Sequence, residues 1–214
     1  GHTLVGMNLP HTDPIHKVSI MPRGGALGVT QTLPKEDSLN LTRERSHNFI
    51  SFLMGGRCAE ELVFGEITSG ASNDIERATS LAKSMVCSWG MSEKLGPINY
   101  HKEQTGPYSA PGSGSSYSEK KSEEIDDEIF RLINENYEVA MNILKEKRDA
   151  LDRIAEGLII WETLDNKQIR DLADGIDIGV PIIEEKPVVS EPTPEAVKVK
   201  DEDSSDKGSE PVIA

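Results

Sequence analysis

The chain is poor in cysteine, in aromatic residues and in positive charge, and it has no long apolar run. Its 214 residues include two cysteines, Cys58 and Cys87. That is too few for a disulfide scaffold and points to a reducing compartment, with each cysteine serving as a small apolar helix residue. Lys and Arg total 23 against 37 Asp and Glu, a formal net charge of -14. This balance argues against nucleic acid as a partner, because phosphate binding needs cations that displace counterions. It disfavours an anionic membrane surface in the same way. No stretch approaches the roughly 18 apolar residues of a membrane span, and the first residues carry no basic-plus-apolar signal. Hydrophobic residues make up 36 %, against roughly 45–50 % in ordinary domains when glycine is included. Part of the chain is therefore expected to lie outside any core. Neither a G-x-x-x-x-G-K-[ST] phosphate loop nor a G-x-S-x-G elbow occurs.

Composition divides the chain. Residues 1–104 mix apolar periodicity with glycine-punctuated turns. Residues 105–117 (TGPYSAPGSGSSY) read as a mobile surface loop. Residues 118–178 return to helical patterning. Residues 184–214 hold four Pro, nine acidic and four basic residues and no aromatic. Such a segment buries too little apolar surface to offset its ordering entropy. The expected organisation is a folded domain over 1–178 followed by a disordered acidic tail over 179–214.

Within the folded part, Lys17–Ile20 and Leu27–Thr30 alternate as two short strands around the turn Pro22-Arg23-Gly24-Gly25. Gly28 in the second strand lets another backbone approach closely. Residues 43–64 read as a helix with Thr42 as N-cap, and the pair Gly55-Gly56 suits a tight helix crossing. Residues 74–89 read as a second helix, with Asn73 and Glu76 as a capping-box pair and Gly90 as its stop. A long amphipathic helix runs from Ser118 or Ser122 to about Lys147, another covers 149–161, and Asp165 caps a short one that ends near Gly175. The class is mainly α with a small β-hairpin.

The five histidines are His2, His11, His16, His47 and His101. None pairs with another at i, i+4 in a helix, so taken singly each reads as a surface or structural residue. Residue 2 stands apart. Gly1-His2-Thr3-Leu4-Val5-Gly6 looks like the end of an H-E-x-G-H zinc helix, in which two histidines four apart share one helical face. The following blocks extend this likeness. They are Asp13-Pro14-Ile15-His16-Lys17-Val18-Ser19-Ile20-Met21-Pro22-Arg23-Gly24, Ala26-Leu27-Gly28-Val29-Thr30 and Gly55-Gly56-Arg57-Cys58-Ala59-Glu60-Glu61. Further along come Ser69-Gly70-Ala71-Ser72-Asn73-Asp74-Ile75-Glu76-Arg77-Ala78-Thr79, Trp89-Gly90-Met91-Ser92-Glu93-Lys94-Leu95-Gly96-Pro97 and Glu162-Thr163-Leu164. In this order they resemble the protease domain of the FtsH family, AAA+ zinc metalloproteases of bacterial and organelle membranes. The resemblance covers about residues 1–175.

The resemblance implies a helical zinc-metallopeptidase domain with an active-site edge strand. It implies Zn2+ as cofactor, with His2 as the second ligand histidine and Asp74 as the third ligand. Two imidazoles and one carboxylate leave a fourth position for water. Glu60 is implied beside the site, orienting a ligand histidine. Ala26, Leu27, Gly28, Val29 and Thr30 are implied as the strand that pairs with an extended substrate backbone. The first ligand histidine and the catalytic Glu belong upstream of Gly1, as do an ATP-binding AAA+ module and membrane segments. The chain alone is then expected to bind zinc weakly and to be inactive as a peptidase. The parent is expected to be a homo-hexamer that degrades unfolded proteins, in which zinc-activated water attacks the peptide bond. Its expected place is the bacterial inner membrane, with this domain on the cytoplasmic side. Two other readings compete. One is a non-catalytic helical oligomerisation or scaffold module. The other is an unrelated helical adaptor whose Gly-His is a tag remnant, which predicts His2 and Asp74 far apart.

Overall fold

The fold is built around one long helix, α2 (Arg43–Phe64). The Thr42 hydroxyl accepts from the Arg45 N–H at its start, and Gly65 ends it in the left-handed region with φ 69°, where a residue without Cβ is unstrained. A short helix α1 (His2–Asn8), helix α3 (Ser72–Lys83) and the 28-residue α4 (Glu119–Glu146) all pack on α2. Leu4 and Val5 of α1, Ile50, Leu53 and Cys58 of α2, Ala78 and Ala82 of α3, and Leu132, Ala140 and Leu144 of α4 form their shared core. Helices α5 (Arg148–Trp161) and α6 (Asn166–Ala173) follow and pack on each other. The structure, a computed structural model, describes residues 1–22, 28–33, 40–100 and 117–181. They belong to one compact unit, Gly1–Pro181. No described helix is long and apolar enough to cross a membrane.

The β-structure is a sheet of three strands rather than a hairpin alone. Strand β1 (Ile15–Ser19) lies between β2 (Val29–Thr32) and β3 (Thr163–Asp165), and both pairings are antiparallel. Val18 faces Thr30 on one side and Leu164 on the other, with an irregularity between Ile15 and Lys17. Both hairpin strands are thus displaced by about two residues from Lys17–Ile20 and Leu27–Thr30. Strand β3 is too short for an alternating pattern, and its Asp165 also starts α6. The capping box is complete there, since Asp165 accepts from the Gln168 N–H and the Gln168 side chain from the Asp165 N–H.

The Asn73–Glu76 capping box is not formed. A 3₁₀ turn over Ser69–Ala71, whose Gly70 N–H is capped by Thr68, runs straight into α3. Asn73 therefore falls inside the first turn, where no free N-cap position exists. The far end of the predicted 74–89 helix widens into a π-helical turn over Ser84–Ser88 before Gly90, whose φ is 60°. The turn residues 23–25, most of the 105–117 loop and residues 182–214 of the acidic tail lie outside the described residues.

Candidate metal centre

His2 stands at the start of α1, where that helix crosses α2 at Gly55 and Gly56. A Cβ on Gly55 would sit 3.0 Å from the His2 backbone nitrogen, and one on Gly56 would sit 2.6 Å from His2 Nε2. The glycine pair is what lets the imidazole lie against α2. There its Nδ1 is 2.8 Å from the Phe52 carbonyl oxygen. A carbonyl only accepts, so Nδ1 carries the hydrogen and Nε2 of the neutral ring presents its lone pair outward. A backbone carbonyl fixing the remote ring nitrogen is the usual support of a metal-ligating histidine.

Nε2 faces Asp74 Oδ2 at 3.3 Å, with both side chains about one-quarter exposed. Asp74 lies in the first turn of α3, where the helix N-terminus favours negative charge. A neutral-ring lone pair facing a carboxylate oxygen is repulsive unless a proton or a metal ion bridges them. A zinc ion holding N and O at about 2.05 Å in tetrahedral geometry sets those atoms about 3.3–3.4 Å apart. The observed separation therefore fits one edge of a zinc tetrahedron. Among the described residues no group of three or more His, Cys, Asp or Glu side chains converges on a metal position. The candidate centre on this chain is the His2–Asp74 pair.

Glu60 does not touch either residue through a hydrogen bond. Its carboxylate accepts from the Thr68 N–H at 3.3 Å and from the Thr68 hydroxyl at 2.9 Å. It thereby holds the turn that leads into α3, while Phe52 does the orienting of His2. The neighbouring Glu61 accepts from the Tyr137 hydroxyl and ties α2 to α4. His47 Nδ1 is 3.1 Å from Asn136 Nδ2, and burial lowers its pKa. His11 lies near Glu44 at 3.7 Å on the surface.

Strand β2 forms one border of the sheet. Gly28, just before it, approaches β1 so closely that a Cβ there would be 2.8 Å from the Ser19 carbonyl oxygen. Thr30 Oγ1 lies 3.5 Å from Thr3 Oγ1, which places this strand beside α1 one residue from His2. Val29 is 46 % exposed, and among the described residues β1 is the only partner of β2. Ala26 and Leu27 lie outside the described residues.

Phe52 supports His2 without having been singled out, whereas Gly55-Gly56 does form the tight helix crossing expected of it. Phe52 acts through a backbone atom, which no side-chain pattern marks. The Gly55-Gly56 pair was the available signal, since two adjacent glycines in a helix interior are costly without a close contact.

Residues 1–172 match the family model for peptidase family M41. A protein named ATP-dependent zinc metalloprotease FtsH 1 from Bdellovibrio bacteriovorus is 49 % identical over 182 residues, covering 84 % of this chain and 28 % of its own length. ATP-dependent zinc metalloprotease FtsH from Akkermansia muciniphila is 46 % identical over 177 residues, covering 81 % of this chain and 22 % of its own. FtsH 3 from Symbiobacterium thermophilum is 46 % identical over 176 residues, covering 81 % of this chain and 28 % of its own. The chain thus spans about a quarter of the length of these curated relatives. The 3.3 Å approach of His2 to Asp74 is incompatible with an unrelated adaptor carrying an accidental Gly-His. With the match over residues 1–172, it leads to one conclusion: the chain belongs to peptidase family M41.

Proposed function

We propose that the chain is the protease part of an ATP-dependent, membrane-anchored, hexameric zinc metalloendopeptidase that degrades unfolded and damaged proteins. In this reading the domain faces the cytoplasm from a bacterial inner membrane. The observation that carries the reading is the His2 Nε2–Asp74 Oδ2 separation of 3.3 Å, with Nδ1 tied to the Phe52 carbonyl. His2 and Asp74 are two zinc ligands. A further histidine and the general-base Glu come from residues upstream of Gly1, and ATP is bound by a separate AAA+ module.

Bound at this centre, zinc supplies a Lewis acid that activates water and polarises the scissile carbonyl. The residues of this chain do the positioning. Phe52 fixes the imidazole, the α3 N-terminus stabilises the Asp74 carboxylate, and Glu60 holds the turn before it. An extended substrate lies along the border of β2 at Gly28, Val29 and Thr30. Main-chain pairing there is tolerant of sequence, which suits a protease of unfolded chains.

The test is zinc content and casein cleavage of the full-length protease carrying His2→Ala or Asp74→Asn. Both variants should lose zinc and proteolysis while ATP hydrolysis continues. Wild-type zinc content and cleavage in either variant would overturn the assignment. The isolated chain, with two ligands and no general base, should not cleave casein, and cleavage by it would refute the upstream placement of those groups.

A further inference from the structure

We infer that His47, Asn136 and Ser51 form an acid-sensitive latch between α2 and α4, closed while His47 is neutral and opened when it takes up a proton. The latch itself is independent of the protease reading above. Its effect on the candidate metal site rests on that reading.

Asn136 of α4 is the centre of the latch, and both it and Ser51 are buried. Its Nδ2 donates to the Leu132 carbonyl at 2.7 Å and lies 3.1 Å from His47 Nδ1, while its Oδ1 accepts from the Ser51 hydroxyl at 3.0 Å. His47 and Ser51 stand one helical turn apart on α2. One side chain of α4 thus grips two successive turns of α2. Leu132 sets the orientation of the amide, because a carbonyl only accepts and the atom facing it must be the NH2 group. That group has two hydrogens. One goes to Leu132 and the other to His47 Nδ1, which must therefore be bare, with the ring hydrogen on Nε2. Ser51 precedes Phe52, whose carbonyl holds His2 at 2.8 Å. The latch consequently holds the turn of α2 that orients the candidate zinc ligand.

A proton on Nδ1 breaks this arrangement. It sets an imidazolium N–H against the Asn136 N–H. Turning the amide over does not repair it. Oδ1 would then accept from Nδ1 but would face the Leu132 oxygen across the 2.7 Å now spanned by a hydrogen bond. Either conflict lies in a buried place, where an unmet polar group costs more than in water. The surrounding charges act in the same direction. Burial first, then Arg43 on α2 and Arg131 on α4, disfavour the imidazolium, and Glu135 on α4 opposes them. Glu135 is itself held by Arg131 at 2.6 and 2.8 Å, and Arg43 is paired with Glu93 at 2.6 Å. The folded-state pKa of His47 therefore lies below the unfolded value near about 6.5. A group depressed in this way contributes its stability fully above the unfolded value. The contribution is lost as pH falls from there through the folded value.

The first test is an NMR titration of the 214-residue chain. The Asn136 side-chain amide protons should shift with the same midpoint as the His47 imidazole, and that midpoint should lie below the midpoint of His16, which is exposed on β1. Amide protons that do not follow His47, or a His47 midpoint at or above that of His16, would overturn the proposal. The second test is urea denaturation of wild type and His47→Gln between about pH 8 and about pH 5.5, a window that spans the histidine range. The Gln side-chain oxygen accepts from Asn136 as Nδ1 does but takes up no proton. The other histidines are common to both proteins, so the folding equilibrium constant should fall more steeply with acid in the wild type. Equal slopes would overturn the latch. The third test reaches the candidate metal site. The full-length protease carrying His47→Gln should keep its zinc to lower pH than the wild type. Loss of zinc at the same pH in both would overturn the coupling to His2. Amide and imidazole shifts as expected, with no zinc in the wild-type protease, would leave the latch standing and reject the protease reading.

Discussion

On the proposed zinc assignment, replacing Gly56 by Ala should disable the His2–Asp74 site while leaving the fold intact. The new Cβ would lie 2.6 Å from His2 Nε2 and 3.0 Å from Cε1, about 0.8 Å short of the 3.4 Å at which ordinary contact begins. The obstacle is the tip of a side chain, so the ring yields rather than the helix. It can yield only by turning about its own torsions or by lifting α1. Either movement lengthens the 2.8 Å bond to Phe52 or displaces Nε2 from its 3.3 Å approach to Asp74. Metal–ligand distances tolerate about 0.2 Å, and loss of an orienting partner typically lowers metal affinity about 10–100-fold. Gly56→Ala should therefore lower zinc affinity of the full-length protease by that factor, with proteolysis falling in parallel. Helix propensity acts in the other direction, by about 0.5–1 kcal/mol in favour of Ala, so the melting temperature should hold or rise. Gly55→Ala is the contrast. Its Cβ would meet the backbone of Gly1 and His2 at 3.0–3.1 Å, which cannot rotate away, so the α1–α2 crossing opens and the protein is destabilised. Zinc content by elemental analysis and thermal unfolding, measured on both variants, separate the two effects. Wild-type zinc affinity in Gly56→Ala would refute the claim that the glycine exists to seat the imidazole.

Two further outcomes concern the frame around the site. Glu128 is fully buried on α4, its carboxylate bonded to Arg131 Nε and Nη2 at 2.8 Å each and to the Ser92 hydroxyl at 2.6 Å. Arg131→Met leaves that charge without its cation and should cost about 2–3 kcal/mol by urea denaturation at pH 7, below the full cost of breaking a buried pair because Arg131 is half-exposed. The Arg131 guanidinium first, and Ser92 after it, hold the Glu128 carboxyl down at about 2. Its contribution is then present above the unfolded carboxylate range near about 4.3 and fades as pH falls toward 2. The gap between wild type and variant should close over that window, and a gap independent of pH would refute the assignment. Asp165→Ala removes the capping box of α6 and should cost about 1 kcal/mol, with unchanged stability as the refuting result.

The helices were legible because each carries its own signals. Thr42 before Arg43, Ser118 before Glu119 and Asp165 before Asn166 all cap as their side chains require. The 3.6-residue apolar spacing of α4 lies on its buried face, with Ile125, Ile129, Leu132, Ala140 and Leu144 in the core, whereas α2 buries Ile50 and Leu53 and leaves Phe49 and Val63 exposed. Elements set by tertiary context were less legible. The three residues of β3 pair only because α5 and α6 deliver them to β1. The start of α3 was misplaced because a 3₁₀ turn held by Thr68, itself held by Glu60, supplies its first turn. In the proposed metal centre, His2 and Asp74 were readable through family resemblance, since nothing local joins residues 2 and 74. Of the groups that seat His2, the glycine pair Gly55-Gly56 was readable as a close crossing, while the Phe52 carbonyl carries no side-chain signature.

This division has a physical basis. A metal ligand must be a particular side chain, because only imidazole, thiolate and carboxylate supply the lone pairs zinc prefers. What orients the ligand needs only an acceptor at the right place, and any residue's backbone supplies one. The demand on the helix beneath is therefore for closeness, which is met by removing atoms. Gly56 permits the 2.6 Å position that no Cβ could occupy, and the helix gives up some intrinsic stability there. That local loss is offset by Ile50, Leu53 and Cys58, which are buried in the core on either side of the glycine pair. The same helix supports both candidate ligands, fixing the imidazole through the Phe52 carbonyl and holding the turn before Asp74 through Glu60. A shift of α2 would consequently move the supports of His2 and of the turn before Asp74 together, so on the proposed zinc assignment metal affinity should respond to any change that loosens α2 against α4.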